Sequence, residues 1–208
     1  MNLGMINLII SSSKNHFLDT NVLLRHANGD SSPYEADIST ILSEAVGPSK
    51  IRNVWVSTVI FAELRPSSFK PGVFKTVDEL SRYIRSFASI VSPDPATMMR
   101  VARLRDLKWL RAVNRHKDEK ARTMSLGDAI HIASALWVKE ATKVSDLEFL
   151  TFDDGKSKSE ELDKGTKALS LLRAQEYTDG IMSDDDVKAV CNLVRIKPIL
   201  SMQQTFTL

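Results

Sequence analysis

Apolar positions along the chain follow two rhythms. Short continuous runs occur at His16-Phe17-Leu18, Val54-Trp55-Val56-Ser57, Glu148–Phe152 and Leu193–Lys197. Each has the length and the flanking turn residues of a buried strand. Between them the spacing is helical. Val22-Leu23-Leu24 follows Asp19-Thr20-Asn21, so the first strand ends in a turn that starts a helix. Ser32-Pro33-Tyr34-Glu35 has the form of a capping box with proline at the first helical position, and Ile38, Ile41, Leu42 and Ala45 then repeat until Gly47-Pro48. A short helix over Val59–Leu64 ends near Pro66. Val77, Leu80, Ile84, Phe87 and Val91 are separated by 3, 4, 3 and 4 residues. That spacing predicts an amphipathic helix, with a short strand competing for its end near Ser89–Val91. Pro93-Asp94-Pro95 opens a helix with an apolar seam of Met98, Val101, Leu104 and Leu107. Ser125-Leu126-Gly127-Asp128 caps a helix over Ala129–Lys139, and Glu160–Ala174 reads as helical. Strands alternating with helices predict βαβ units, and hence a parallel sheet covered on both faces.

The chain's 208 residues are enough for one domain. Its single cysteine, Cys191, rules out a disulfide framework and a cysteine-based zinc site, and fits a reducing, cytoplasmic setting. No apolar run approaches the ~20 residues that span a bilayer, and Met1–Ile10 lacks the basic flank of a signal peptide. The net charge of +2 is small, but it hides two opposed segments. Arg100 to Arg122 carries nine basic and three acidic residues, whereas Asp153 to Asp186 carries ten acidic and five basic ones. The basic segment lacks the alternating pairs of a self-compensated helix. Arg103, Lys108, Arg111 and Arg115 are therefore candidate RNA contacts, weighed evenly against a solvated face.

Four acids occupy special places in this pattern. Asp19 ends the first strand, Glu63 lies in the short helix after the second, Asp128 is in a first helical turn, and Asp153 ends a late strand. Each has an ordinary local explanation: an N-cap, a solvated helix residue, a capping box, a turn. Those explanations do not require a shared location. In an open α/β sheet, however, strand carboxyl ends and the N-termini of following helices meet at one edge. Carboxylates gathered there repel one another and make sense around a hard divalent cation, Mg²⁺ or Mn²⁺, of the kind that supports phosphodiester hydrolysis.

The same residues carry a resemblance. Phe17-Leu18-Asp19-Thr20-Asn21-Val22-Leu23-Leu24 resembles the opening motif of PIN domains. Ser57-Thr58 with Glu63-Leu64 resembles their second motif, and Leu126-Gly127-Asp128-Ala129 with Ala133, Ala135 and Leu136 the third. Phe149-Leu150-Thr151-x-Asp153 resembles the fourth. The motifs stand in the family's order over residues 15–198, with an extension over 1–14 and a tail over 199–208. They are most similar to those of VapC-type toxins of toxin–antitoxin pairs. The resemblance implies an α/β fold, a three-layer α/β/α sandwich with a central, mainly parallel sheet. It implies a Mg²⁺- or Mn²⁺-dependent endoribonuclease, a hydrolase acting on single-stranded RNA, with a small antitoxin protein and a second copy of itself as partners. It assigns Asp19, Glu63, Asp128 and Asp153 as metal ligands, with Asn21 and Thr151 holding carboxylates. Asp154, next to the fourth ligand, starts a turn and is placed nearer solvent, within reach of a metal through water. Two alternatives stay open: a PIN-like module that binds RNA or protein without cleaving, and a nuclease for DNA or flaps.

Other residues are weaker candidates. His131 lies one turn after Asp128 and reads as a packed or solvated helix residue in preference to a site residue. Trp109 reads as core or interface in preference to a base-stacking platform. Phe69, Pro71-Gly72 and Phe74 are open between a flap and a partner surface.

Overall fold

The computed structural model describes residues 13–29, 33–70, 74–111, 121–154, 161–163 and 166–200. The extension apart from 13 and 14, the tail beyond 200, Ser32, Pro71-Gly72 and Arg115 lie outside the described residues.

The strand runs and helical repeats alternate as the pattern predicts. In chain order they are β1 (Asn15–Leu18), α1 (Thr20–Ala27), α2 (Glu35–Ser43), β2 (Asn53–Ser57), α3 (Ile60–Glu63), α4 (Val77–Phe87) and β3 (Ala88–Val91). There follow α5 (Pro95–Asp106), β4 (Arg122–Thr123), α6 (Leu126–Ala141), β5 (Glu148–Leu150), β6 (Glu161–Asp163), β7 (Thr166–Ala168), α7 (Asp185–Asn192) and β8 (Val194–Ile196). The central sheet has the order β3-β2-β1-β5-β8, and every pairing in it is parallel.

The order of strands decides where a ligand can sit. From β1 the chain adds β2 and β3 on one side, then crosses to add β5 and β8 on the other. The switch lies between β1 and β5, and it opens a crevice outside their carboxyl ends.

Side-chain alternation builds three layers. Phe17 of β1 and Phe149 of β5 stack at 5.7 Å on one face, with α5, α6 and α7. Leu18 and Leu150 point to the opposite face, with α1, α2, α3 and α4. The small residues Ala129, Ala133 and Ala135 let α6 lie close against the sheet, all fully buried. Trp109 is fully buried, and its indole N–H is directed at the Leu104 carbonyl at 3.4 Å, so it belongs to the core.

Three expectations change. The segment read as one helix over Glu160–Ala174 contains β6, β7 and a 3-10 turn over Leu171–Tyr177. β7 pairs with β4 in parallel and with β6 antiparallel in a second, three-stranded sheet. Tertiary pairing to β4 overrides a weak helical pattern that already contained Gly165 and the β-branched Thr166. In α5 the buried seam is Thr97, Val101 and Leu104, while Met98 is 41% exposed. Val101 and Leu104 hold the seam as expected, Thr97 takes the place of Met98 at its start, and Leu107 packs against the core from just beyond the helix. The α4 repeat ends at Phe87, and the chain goes straight into β3. Phe74 packs against Tyr83 at 5.0 Å and His26 at 6.2 Å, and Phe69 packs against the same core, so neither side chain is a free flap.

Candidate active site

Each acid is delivered by the element before it. Asp19 follows β1, and its N–H donates to Leu150 of β5 at 3.0 Å, which fixes it over the switch point. By backbone it is the N-cap of α1, yet its side chain caps nothing. The carboxylate accepts instead from the Thr151 hydroxyl at 2.5 Å and the Asn21 amide at 2.7 Å. Asn21 also donates to the Thr151 oxygen at 3.1 Å and accepts from the Phe152 N–H at 3.0 Å. Two turns from opposite ends of the chain are thereby clipped around one carboxylate. The N-cap explanation of Asp19 fails on this geometry.

β5 ends at Leu150, and Thr151 still pairs with β8 through its N–H to Ile196 at 3.0 Å. Asp153 then turns toward the residues after β7. Its carboxylate accepts from the Leu171 N–H at 2.8 Å, and its carbonyl accepts from Ser170 and Leu172 at 2.9 and 3.1 Å. Asp154 faces the other way and pairs with Lys197 at 3.2 Å.

Ser125 is the N-cap of α6, accepting from the Asp128 N–H at 3.1 Å, while its hydroxyl donates to the Asp128 carboxylate at 2.6 Å. Glu63 reaches in from the end of α3. It accepts from the Thr20 hydroxyl and lies 3.0 Å from His131 Nε2. That same nitrogen is 3.0 Å from Thr20 Oγ1 and 4.0 Å from Asp19. His131 is 1% exposed. Gly127 makes this approach feasible: a Cβ there would stand 2.0 Å from Glu63 Oε1.

Asp19, Glu63, Asp128 and Asp153 all line one open crevice of about 650 Å³. Asn21, Phe152, Arg65 and Ser68 share its wall, and Ala168 and Leu169 close the side built by β7. The long acidic insertion thus returns to form part of the crevice. Electrostatics bear the mark of crowding. Burial, then the charges of Asp19 and Asp153, push the Asp128 carboxyl up to about 7, against the Ser125 hydrogen bond and His131. Burial and the Glu63 charge raise Asp19, although His131 and Thr151 oppose them. Burial works against ionised Glu63, but the hydrogen bond and charge of His131 and the Thr20 hydroxyl outweigh it and lower its pKa. Burial likewise opposes protonated His131, yet the bond to Glu63 and the charges of Asp19, Glu63 and Asp128 raise it.

Among the described residues, no three His, Cys, Asp or Glu side chains form a ready-made set for a metal ion. Each acid instead takes a donor of its own: Thr151 and Asn21 for Asp19, Ser125 for Asp128, the Leu171 N–H for Asp153, and Thr20 with His131 for Glu63. The donor set is nevertheless all carboxylate oxygen, the kind that Mg²⁺ and Mn²⁺ accept.

His131 is the residue that the sequence pattern undervalued. Its i,i+3 spacing from Asp128 on one helix face was the available signal. In the basic segment, two of the candidate RNA contacts have partners within the chain. Arg103 donates to Asp186 at 2.7 Å and Arg111 pairs with Glu176, both acids of the negative segment. Arg100 joins the same Asp186 at 2.8 Å. Lys108 is exposed.

The model of the PIN domain family matches residues 16–161. Comparison with curated proteins finds no match.

Proposed function

Because the chain belongs to the PIN domain family, whose members are generally nucleases, we propose that it is an endoribonuclease for single-stranded RNA that works with bound Mg²⁺ or Mn²⁺. The observation that carries this reading is the convergence of Asp19, Glu63, Asp128 and Asp153 on one crevice at the switch point of the sheet. Four carboxylates in one place, two of them pushed toward protonation, are a costly arrangement for a protein that does not use it.

The four acids would hold the cation, directly or through water. Bound there, the ion supplies an activated water and offsets charge on the phosphate. The protein's own work is positioning. Thr151 and Asn21 fix one oxygen of Asp19, the Leu171 N–H fixes Asp153, Ser125 fixes Asp128, and His131 with Thr20 fixes Glu63. Crevice openness suits an extended strand better than a small molecule. The likeness of the four motifs to those of VapC-type toxins supports a toxin role, with a small antitoxin and a second copy as partners in the cytoplasm.

The test is incubation of the purified protein with matched single-stranded RNA and DNA, in Mn²⁺, in Mg²⁺ and in excess chelator. We expect cation-dependent cleavage of RNA, with Asp19→Ala losing several orders of magnitude while its melting curve stays cooperative. Undiminished cleavage in chelator would overturn the mechanism, and cleavage confined to DNA would overturn the substrate.

A further inference from the structure

We propose that Arg65 is the phosphate-binding residue of the crevice, holding the backbone of a single-stranded RNA beside the carboxylate edge. The proposal rests on the nuclease reading for its substrate, but it concerns a residue that neither the motifs nor the charge pattern singled out.

The first ground is location. Among the described residues lining the crevice, Arg65 is the one lysine or arginine. A wall of four carboxylates repels a polyanion, and a resident cation offsets only part of that charge. A strand therefore approaches such a site best where a positive side chain stands in the same wall.

The second ground is availability. Arg65 is exposed, and its side chain makes no hydrogen bond or ion pair with the described residues, its carbonyl alone accepting from the Ser68 N–H. Its acidic neighbour, Glu63, is engaged by His131 and Thr20 instead. Several other cations of the described residues are committed. Arg25 lies over the Phe152 ring at 4.2 Å, Lys197 pairs with Asp154 at 3.2 Å, Arg100 and Arg103 hold Asp186, and Arg111 holds Glu176. Three arginines of the basic segment, Arg100, Arg103 and Arg111, are thus paired with acids of the acidic segment of the same chain.

The third ground is the mounting. Arg65 begins the 3-10 turn over Pro66–Ser68, with Pro66 fixing its first position. Asn28, just after α1, ties down the far end of that turn. Its amide donates to the Ser68 carbonyl at 3.1 Å, and its oxygen accepts from the Lys70 N–H at 2.9 Å. The Arg65 backbone is thereby held by a turn that joins the end of α3 to the end of α1, through the Ser68 N–H to the Arg65 carbonyl at 2.8 Å. A rigid stem with an uncommitted planar fork matches two phosphate oxygens, which a lysine matches less well.

The experiment compares wild type, Arg65→Gln, Arg65→Lys and a charge-matched control, Lys50→Gln, in an exposed position just before β2. Steady-state cleavage of a single-stranded RNA in Mn²⁺ is measured across salt concentrations, with Mn²⁺ affinity measured separately by calorimetry. For Arg65→Gln we expect KM to rise about tenfold with kcat within about threefold, the size of one charged hydrogen-bond contact. The log–log salt slope should fall by about 0.7, the value for one phosphate contact on a single strand. Arg65→Lys should restore part of KM, Lys50→Gln should match wild type, and Mn²⁺ affinity should stay unchanged. An unchanged KM and slope in Arg65→Gln would overturn the proposal. So would a fall in kcat together with Mn²⁺ affinity, because Arg65 would then act through Glu63. If wild type cleaves no RNA, the nuclease reading fails by itself, and anisotropy of a labelled RNA with the same variants in Mg²⁺ still decides the role of Arg65.

Discussion

Replacing Asp128 by Asn separates the two explanations of that residue, helix cap and crowded acid. The substitution keeps an oxygen to accept the Ser125 hydroxyl, now at 2.6 Å, and leaves the backbone cap at 3.1 Å untouched. What it removes is a charge beside Asp19 and Asp153. Moving a carboxyl from 3.8 to about 7 corresponds to about 4 kcal/mol between the protonation states. The sign follows from linkage. Below about pH 4 the acid is neutral in both folded and unfolded chains, and its interactions are fully present. As pH rises to about 7 the unfolded chain gives up a proton that the metal-free fold retains, so stability declines, and above that the whole cost is felt. Solvent reaching the half-buried carboxyl reduces the cost, and a carboxylate in a first helical turn returns about 0.3–1 kcal/mol. The net expectation at pH 8 in chelator is a variant more stable than wild type by about 1–3 kcal/mol, shrinking to nothing by pH 4. Urea melts at several pH values read this directly. Adding Mn²⁺ should then reverse the order, since wild type gains the binding free energy and the variant gains less. A variant less stable than wild type by the same amount at every pH would show that Asp128 is a structural cap, and would refute the crowding argument.

Three further outcomes follow from the geometry. Gly127→Ala should leave the melting temperature level or slightly raised, because alanine favours helix by about 1 kcal/mol, while cleavage and Mn²⁺ affinity fall at least about tenfold as Glu63 is displaced; intact Mn²⁺ affinity would remove Glu63 from the site. Asp153→Asn should abolish most cleavage and Asp154→Asn spare most of it, since one acid lines the crevice and the other faces Lys197; the reverse pattern would reassign the fourth ligand. His16, fully buried with Arg52 Nη1 3.0 Å away, is pushed down to about 4 by burial and then by that charge. The unfolded chain binds its proton below about 6.5, so stability should be lost as pH falls from 6.5 toward 4, by about 3 kcal/mol at the lower end; a His16→Asn protein with the same acid slope would contradict this.

What could be seen in the sequence was whatever depends on neighbours in the chain. Strand, turn and helix around Asp19 announce themselves within nine residues, and Thr151-x-Asp153 does the same at β5. The crevice itself followed from βαβ logic, because parallel strands must bring their carboxyl ends to one edge. The β6–β7 hairpin was hidden because its stability comes from β4, more than forty residues earlier in the chain, and no local period reports a distant pairing partner. His131 was undervalued because its worth lies in Glu63, 68 residues away. The basic segment shows the same limit: the charge of Arg103 and Arg111 is plain in the chain, but their partners Asp186 and Glu176 are found only by folding.

The clip between Asp19 and Thr151, 132 residues apart, also governs when the crevice comes into being during synthesis. Within the first half of the chain Asp19 has Asn21 but not the Thr151 hydroxyl, and the Asp153 carboxylate gains the Leu171 N–H only once that residue has been added. β5 in turn lacks its outer neighbour until Ile196. A ribosome-bound chain that has exposed only α1 to α6 carries three of the four acids and no completed edge. A hydrolase that would act on RNA is therefore inert for nearly the whole time it is attached to the machine richest in RNA. Topology itself acts as the timer.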